Sequence, residues 1–173
     1  MAFRCLRYGQ VRNFGYTSLR IPSMPSVQPF LPSVVDAMTE LVPMQLARIV
    51  MNDLMNQYVI FLKETDGERQ FPIVIGFFEA TNINLRVTAM ERPDRPLTHD
   101  LIIGVTQSLG ASVESVVITD FHDEVFLAVL RLKRDGEVID VDARPSDAIA
   151  VAASFQPMLP IWVAKPVFDE LAK

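Results

Sequence analysis

Two carboxylates and a guanidinium crowd the heptapeptide DARPSDA at residues 142–148: Asp142, Arg144 and Asp147. Carboxylates ligate hard divalent cations or accept protons, and a guanidinium offers a planar fork to phosphate. Together these residues have the composition of a phosphate-handling site. The segment lies where a strand-like run ends and an apolar helix-like run begins. Such a junction can aim charged groups outward from a rigid support. Each residue also has an ordinary structural role. Asp147 falls in the first turn of its helix, where the macrodipole favours its charge by about 0.3–1 kcal/mol. Arg144 precedes a proline and is therefore extended; it either ties Asp142 to Asp147 or binds a phosphate. Asp140 and Asp142 alternate with Ile139 and Val141, so they share one strand face about 7 Å apart. They hold a cation such as Mg²⁺ there or solvate the outer face of an edge strand.

A second constellation is PLTHD at 96–100. Thr98 suits a helix N-cap, which puts His99 and Asp100 in the first turn. His99 is a general acid/base near neutral pH or an exposed decoration of that turn. Glu79 opens another helix, where it satisfies the helix N-terminus or serves as a metal ligand. Asp120, His122, Asp123 and Glu124 crowd one turn and read as a solvated hairpin.

The elements that must position these groups follow from patterning. Residues 44–51 and 57–63 are apolar strand-like runs joined by a turn containing Asn52, Asp53 and Asn56, and FPIVI (71–75) is a third strand. From Gly76 the period changes, and Ala80, Ile83, Val87 and Met90 form a helical stripe. Pro93 and Pro96 end it. A helix spans 99–109 with Gly110 closing it. Strands cover 113–119 and 125–133, and Asp135-Gly136 makes a tight hairpin into 138–141. Pro145 starts a helix running to Phe155 that is apolar nearly all round, hence buried on most sides. A short strand (160–164) and a helix (166–172) finish the chain. Hairpin groups separated by helices predict an α+β fold. The expected form is a single compact domain: a mostly antiparallel or mixed sheet with three to four helices.

Bulk properties narrow the function. The chain has 173 residues, one cysteine and two histidines. Disulfide frameworks, multi-cysteine zinc sites and histidine-rich metal clusters are excluded. The lone cysteine points to a reducing compartment, and no apolar run approaches the ~20 residues needed to span a bilayer. The expected location is cytoplasmic, with no membrane partner. GxGxxG, Walker, HExxH and GxSxG motifs are absent. Residues 1–35 hold Arg4, Arg7, Arg12 and Arg20 and no acid, whereas 38–173 hold 12 Lys/Arg against 20 Asp/Glu, a balance of −8. An acidic body grips nucleic acid only locally or through a metal. The proline-broken residues 1–37 read as a disordered extension or an over-long gene start, with an organelle transit peptide the third reading. The functional domain is 38–173.

The runs FPIVIG (71–76) with Glu79-Ala80, RPLTHDL (95–101), DARPSDAIA (142–150) and PIWVA (160–164) occur in the order of the bifunctional nuclease domain. The chain resembles that family over about residues 42–170. Asn82 and Asn84 depart from the family's usual look in the helix after Gly76. The resemblance implies an oligomeric α+β protein with nuclease activity on DNA and RNA, and it carries over the positions Glu79, His99, Asp100, Asp142, Arg144, Ser146 and Asp147. The expected enzyme is a metal-assisted phosphodiesterase. Asp142, Glu79 and Asp147 would hold Mg²⁺ or Mn²⁺, Arg144 would stabilise charge on phosphorus, and His99 with Asp100 would complete the catalytic set. The other reading is a non-catalytic oligomeric binding or regulatory module in which DARPSDA is a structural clamp.

Overall fold

The structure, a computed structural model, describes residues 40–88 and 93–172. Residues 1–37, expected to be an extension, and Met90, expected in a buried stripe, lie outside the described residues. The chain opens with an antiparallel meander of β1 (Leu41–Asn52), β2 (Gln57–Glu64) and β3 (Gln70–Ile75). Helices α1 (Phe77–Val87) and α2 (Thr98–Ser108) follow. A second meander holds β4 (Ser112–His122), β5 (Val125–Arg134) and β6 (Glu137–Ala143). Then come α3 (Pro145–Ala152), β7 (Ile161–Ala164) and α4 (Lys165–Leu171).

The two meanders join through β7, which pairs antiparallel with β1 and parallel with β4. The result is one mixed seven-stranded sheet of order β3-β2-β1-β7-β4-β5-β6. This is the α+β domain with four helices that the patterning predicts. The sheet curls strongly. Phe71 on the edge strand β3 stacks on Phe126 of β5, ring centroids 5.9 Å apart, although four strands separate them in the sheet. Ile60, Leu62, Ile73, Val116, Ile118 and Val163 fill the space enclosed. Helix α3 belongs to that core: seven of its eight residues are buried, and the exception is Asp147. Such burial follows from its Ala- and Val-rich sequence, which gives no polar face to turn outward.

Local chemistry accounts for the connections. Asp135 and Gly136 both have positive φ (53° and 87°), as two-residue hairpins require. Asp123 and Glu124 do the same at 49° and 63°. The expected turn at 120–124 therefore shrinks to two residues, and Asp120 and His122 belong to β4. Pro72 is tolerated because β3 is an edge strand, and Pro145 takes the first position of α3.

Three expectations are corrected. Thr98 is not the N-cap of α2; Leu97 is, and its N–H donates to Asp100 Oδ2 at 2.8 Å. The Asp100 side chain, reaching back from the first turn, satisfies the N-cap amide, the reciprocal half of a capping box. In α1 the buried positions are Ala80, Ile83 and Arg86, while Val87 is exposed. Arg86 buries because its guanidinium is tied on both sides, to Asp100 Oδ1 at 3.0 Å and to the Ser154 hydroxyl. Finally, Asp140 does not solvate an outer face. It is 4% exposed and accepts two 2.8 Å bonds from Arg131 directly across the β5–β6 ladder. Those bonds hold the Arg131 pKa above its ordinary value, against the lowering effect of burial.

The Arg131–Asp140 pair is two-pronged and largely desolvated, so removing one partner strands the other. Asp140→Ala is expected to lower stability by about 3 kcal/mol, measured as a shift in the urea midpoint. The double variant Arg131→Met/Asp140→Leu, which leaves no charge behind, is expected to recover most of that loss. Equal losses in both variants would show that the pair's desolvation is not what the single substitution exposes.

Candidate functional site

The strand-to-helix junction is rigid on both sides. β6 is held to β5, and α3 passes straight into the core. Arg144 is the N-cap of α3 and is extended (φ −67°, ψ 143°). Its carbonyl accepts from the Asp147 and Ala148 amides, each at 3.1 Å. This closes the first turn and fixes the direction of both charged side chains.

Asp147 is the hub. Arg144 Nε donates to Asp147 Oδ2 at 2.7 Å, and Arg144 Nη2 donates to Asp147 Oδ1 at 3.2 Å and to Glu79 Oε1 at 2.8 Å. His99 Nε2 lies 3.5 Å from the same Asp147 Oδ1. Three helices thus meet on one carboxylate and its guanidinium. Glu79 comes from α1, His99 from α2, and Arg144 and Asp147 from α3. Asp147, and more weakly Glu79, hold the Arg144 pKa above its ordinary value, so it stays cationic. Its side chain remains 67% exposed. Nε and Nη2 are engaged, whereas Nη1 has no bond among the described residues. One edge of the guanidinium therefore faces water with its donors unused.

Gly76 makes the α1 arm possible. A Cβ there would collide with the Glu79 carboxylate, which folds back over the start of α1. The space that glycine leaves open is the space Glu79 occupies on its way to Arg144.

Beside this cluster is a cavity of about 600 Å³. Its walls include Phe78, Ile102, Leu130, Val141, Ala148 and Val151, with Glu79, Asn82, Thr98, His99, Asp142 and Asp147 as the polar contributors. The Asp142 side chain is exposed and makes no hydrogen bond or ion pair among the described residues. The expectation that Arg144 ties Asp142 to Asp147 is therefore corrected: the second acid is Glu79, 65 positions away in sequence. Asp100 points elsewhere. It holds Arg86 and the Leu97 amide and lines a separate cleft of about 250 Å³ with Pro93 and Arg95. Ser146 is buried at the start of α3. Asn82 and Phe78 were not singled out as site residues from sequence. The signal available was a polar Asn on the Glu79–Ile83 side of an otherwise apolar helical spacing.

Glu79 and Asp147 share a guanidinium, and among the described residues no three His, Cys, Asp or Glu side chains converge as a metal site. In this arrangement Arg144 fills the place between those carboxylates, and the donor set does not fit a cation held by Glu79, Asp142 and Asp147. The cluster can position a guanidinium edge and an unpaired carboxylate beside an apolar cavity.

Comparison with known proteins adds the family. A family model described as the bifunctional nuclease domain matches residues 60–173. An uncharacterized protein of Mycobacterium tuberculosis (strain CDC 1551 / Oshkosh) is 43% identical over 115 residues, 66% of this chain and 66% of the relative. A protein named Bifunctional nuclease 1 from Oryza sativa subsp. indica is 30% identical over 122 residues, 68% of this chain but 36% of the rice protein. The Oryza minuta protein named Bifunctional nuclease matches to the same extent. The matches thus span about two thirds of the mycobacterial relative and about a third of the rice ones. The matched region contains Glu79, the His99 motif and the whole DARPSDA junction, and on that match the chain belongs to the bifunctional nuclease domain family.

Proposed function

We propose that this chain hydrolyses phosphodiester bonds in RNA and DNA at the Arg144–Asp147 cluster beside the cavity. The observation that carries this reading is the meeting of both sequence motifs on one carboxylate, Asp147, next to an unpaired Asp142. Arg144 is oriented by Asp147 and Glu79, so its Nη1 donors are already in place for a phosphate oxygen and need no reorganisation as charge develops. Asp142 is the acid at the cavity with no partner, and it accepts the proton of the attacking water. The water oxygen bonds to phosphorus, the ester P–O bond breaks, and the departing oxygen takes a proton from solvent. His99 acts through Asp147, keeping the carboxylate aimed at Arg144. Asp100 anchors α2 through Arg86. No step depends on a metal ion, and the test below includes Mg²⁺, Mn²⁺ and a chelator as arms.

One observation favours a second reading. The hydrogen bond of Arg144 to Glu79, with the two that anchor the same guanidinium on Asp147, also staples α1 to α3, which a non-catalytic binding module would use in the same way. The two readings separate at Asp142, which staples nothing. A homo-oligomer is proposed in either case, because α2 turns Leu101 (61% exposed), Val105 (50%) and Leu109 (66%) to solvent along one side. Contiguous apolar stripes of this kind usually mark an interaction surface. Among the described residues no helix is long and apolar enough to cross a membrane.

Cleavage of single-stranded RNA and plasmid DNA by the full chain is expected. Asp142→Asn should reduce it about 100-fold or more with an unchanged melting temperature, and Arg144→Ala should reduce it comparably. Undiminished cleavage in both folded variants ends the assignment. For the oligomer, Leu101→Lys/Val105→Lys is expected to shift the light-scattering mass to that of one chain. A wild-type mass already equal to one chain removes the proposal.

A further inference from the structure

The cavity of about 600 Å³ is a largely apolar chamber with an apolar mouth. Phe78 of α1, Ile102 of α2 and Val141 of β6 all line it, and all three are also open to solvent, at 81%, 37% and 42%. The mouth runs into the apolar stripe of α2. At about 100° per residue, Leu101, Val105, Leu109 and Ile102 span an arc of about 100° on that helix, next to the side that buries His99 and Thr106. An arc of that width is what a helix normally turns toward a core. Here it faces water.

The size of this face points to a protein partner. A residue of this kind carries on the order of 200 Å² when fully exposed. The exposed fractions of Phe78, Leu101, Ile102, Val105, Leu109 and Val141 then come to roughly 700 Å². The largest apolar patch on a monomer is typically about 300–600 Å², whereas each side of a standard protein–protein interface buries about 800 Å². The face is therefore larger than a monomer usually leaves bare and close to the area that one partner covers.

Three observations make that partner a second copy of this chain. Leu101, Val105 and Leu109 form a ridge at a spacing of four. Ridges of that spacing interdigitate with identical ridges in the commonest helix pairing, so the stripe is complementary to itself and a two-fold axis can run through it. Gly104 lies beside the ridge. Beyond its own turn of helix, nothing among the described residues comes within 4 Å of the Cβ it lacks. The fold itself does not call for glycine there, the poorest helix former after proline, but a second α2 crossing at that point does, because glycine lets two backbones approach closely. Charge agrees as well. Residues 38–173 carry a balance of −8, so two copies repel where charged surfaces meet, and this face brings uncharged residues together.

We propose that two copies of the chain pair on a two-fold axis through α2, and that each copy closes the mouth of the other's chamber. The proposal rests on the homo-oligomer reading above and adds to it what pairing does. The chamber is open in one chain and enclosed in two, so this part of the candidate site is complete only in the pair.

Thiol accessibility tests it in the full chain, with Cys5→Ser as the background. Val141→Cys and Thr98→Cys each place one thiol on the chamber wall at a position exposed in the single chain. Where light scattering gives two chains or an even multiple, both thiols are expected to react with a maleimide dye at least about tenfold more slowly than in the same variants split by Leu101→Lys/Val105→Lys. Gln107→Cys, on another side of α2, should react equally fast in both backgrounds. Gly104→Leu should weaken pairing at least about tenfold while keeping or raising the melting temperature. Equal reaction of the chamber thiols in paired and split chains overturns the proposal and leaves the oligomer standing. A Gly104→Leu chain that pairs as tightly as wild type overturns the crossing at α2, and a wild-type mass of three chains overturns the two-fold. A wild-type mass of one chain removes both this proposal and the oligomer reading. Cleavage enters none of these readouts, so the nuclease reading stands or falls separately.

Discussion

One carboxylate, that of Asp147, organises the functional end of this molecule. Helix α3 runs through the core with a side chain buried at every position except this one. The single side chain that reaches out meets a guanidinium and an imidazole together. It can do so because a carboxylate has about four lone-pair sites, and Arg144 and His99 use them from different sides. Helices α1 and α2 touch the junction through that same group, Glu79 by way of Arg144 and His99 directly. Placing an acid on the one outward position of a buried helix also explains why the arrangement is stiff. The residues after Asp147 pack on every side, so the carboxylate cannot move without the core.

The charge pattern around this hub separates anchoring from chemistry. Arg86 and Asp100 hold α2 to α1, and Arg131 and Asp140 hold β6 to β5. Both pairs are bound up in the fold. Arg144 differs in being tied on one edge and open on the other, and Asp142 in being tied to nothing. Groups of the second kind are not used up by the fold. Asp142 lines the apolar chamber, and Arg144 is tied to two other residues of its lining, Glu79 and Asp147.

How far the sequence discloses this depends on the range of the interactions concerned. Asp135-Gly136, Pro145 and Gly110 act within a few residues, and the hairpin, helix start and helix end they signal are where local chemistry puts them. The apolar run 148–153 declares its own burial. Asp140 does not, because its exposure is decided by Arg131 on the neighbouring strand. Arg86 is equally opaque, since its burial depends on Ser154 in another part of the chain. Thr98 misleads because a hydroxyl before a helical run is a standard cap, while here Thr98 is already inside the helix and Asp100 satisfies the amide of Leu97 before it. The site itself is half legible. DARPSDA and PLTHD announce charged groups at helix starts, but the partner that completes the clamp, Glu79, becomes visible only once α1 and α3 are side by side.

Helix α2 is the least buried of the helices that frame the cavity; of its eleven residues only His99 and Thr106 are buried. Its hold on the rest is correspondingly narrow, the ion pair of Asp100 and the contact of His99 with Asp147 being its polar tethers. Local unfolding free energies follow buried apolar contact, so α2 belongs to the low end of the molecule's stability profile and α3 to the high end. The chamber is therefore a soft wall set against a hard floor. Whatever occupies it would be held by a segment that can open without unfolding the domain, and occupancy would be felt first as slower amide exchange along α2.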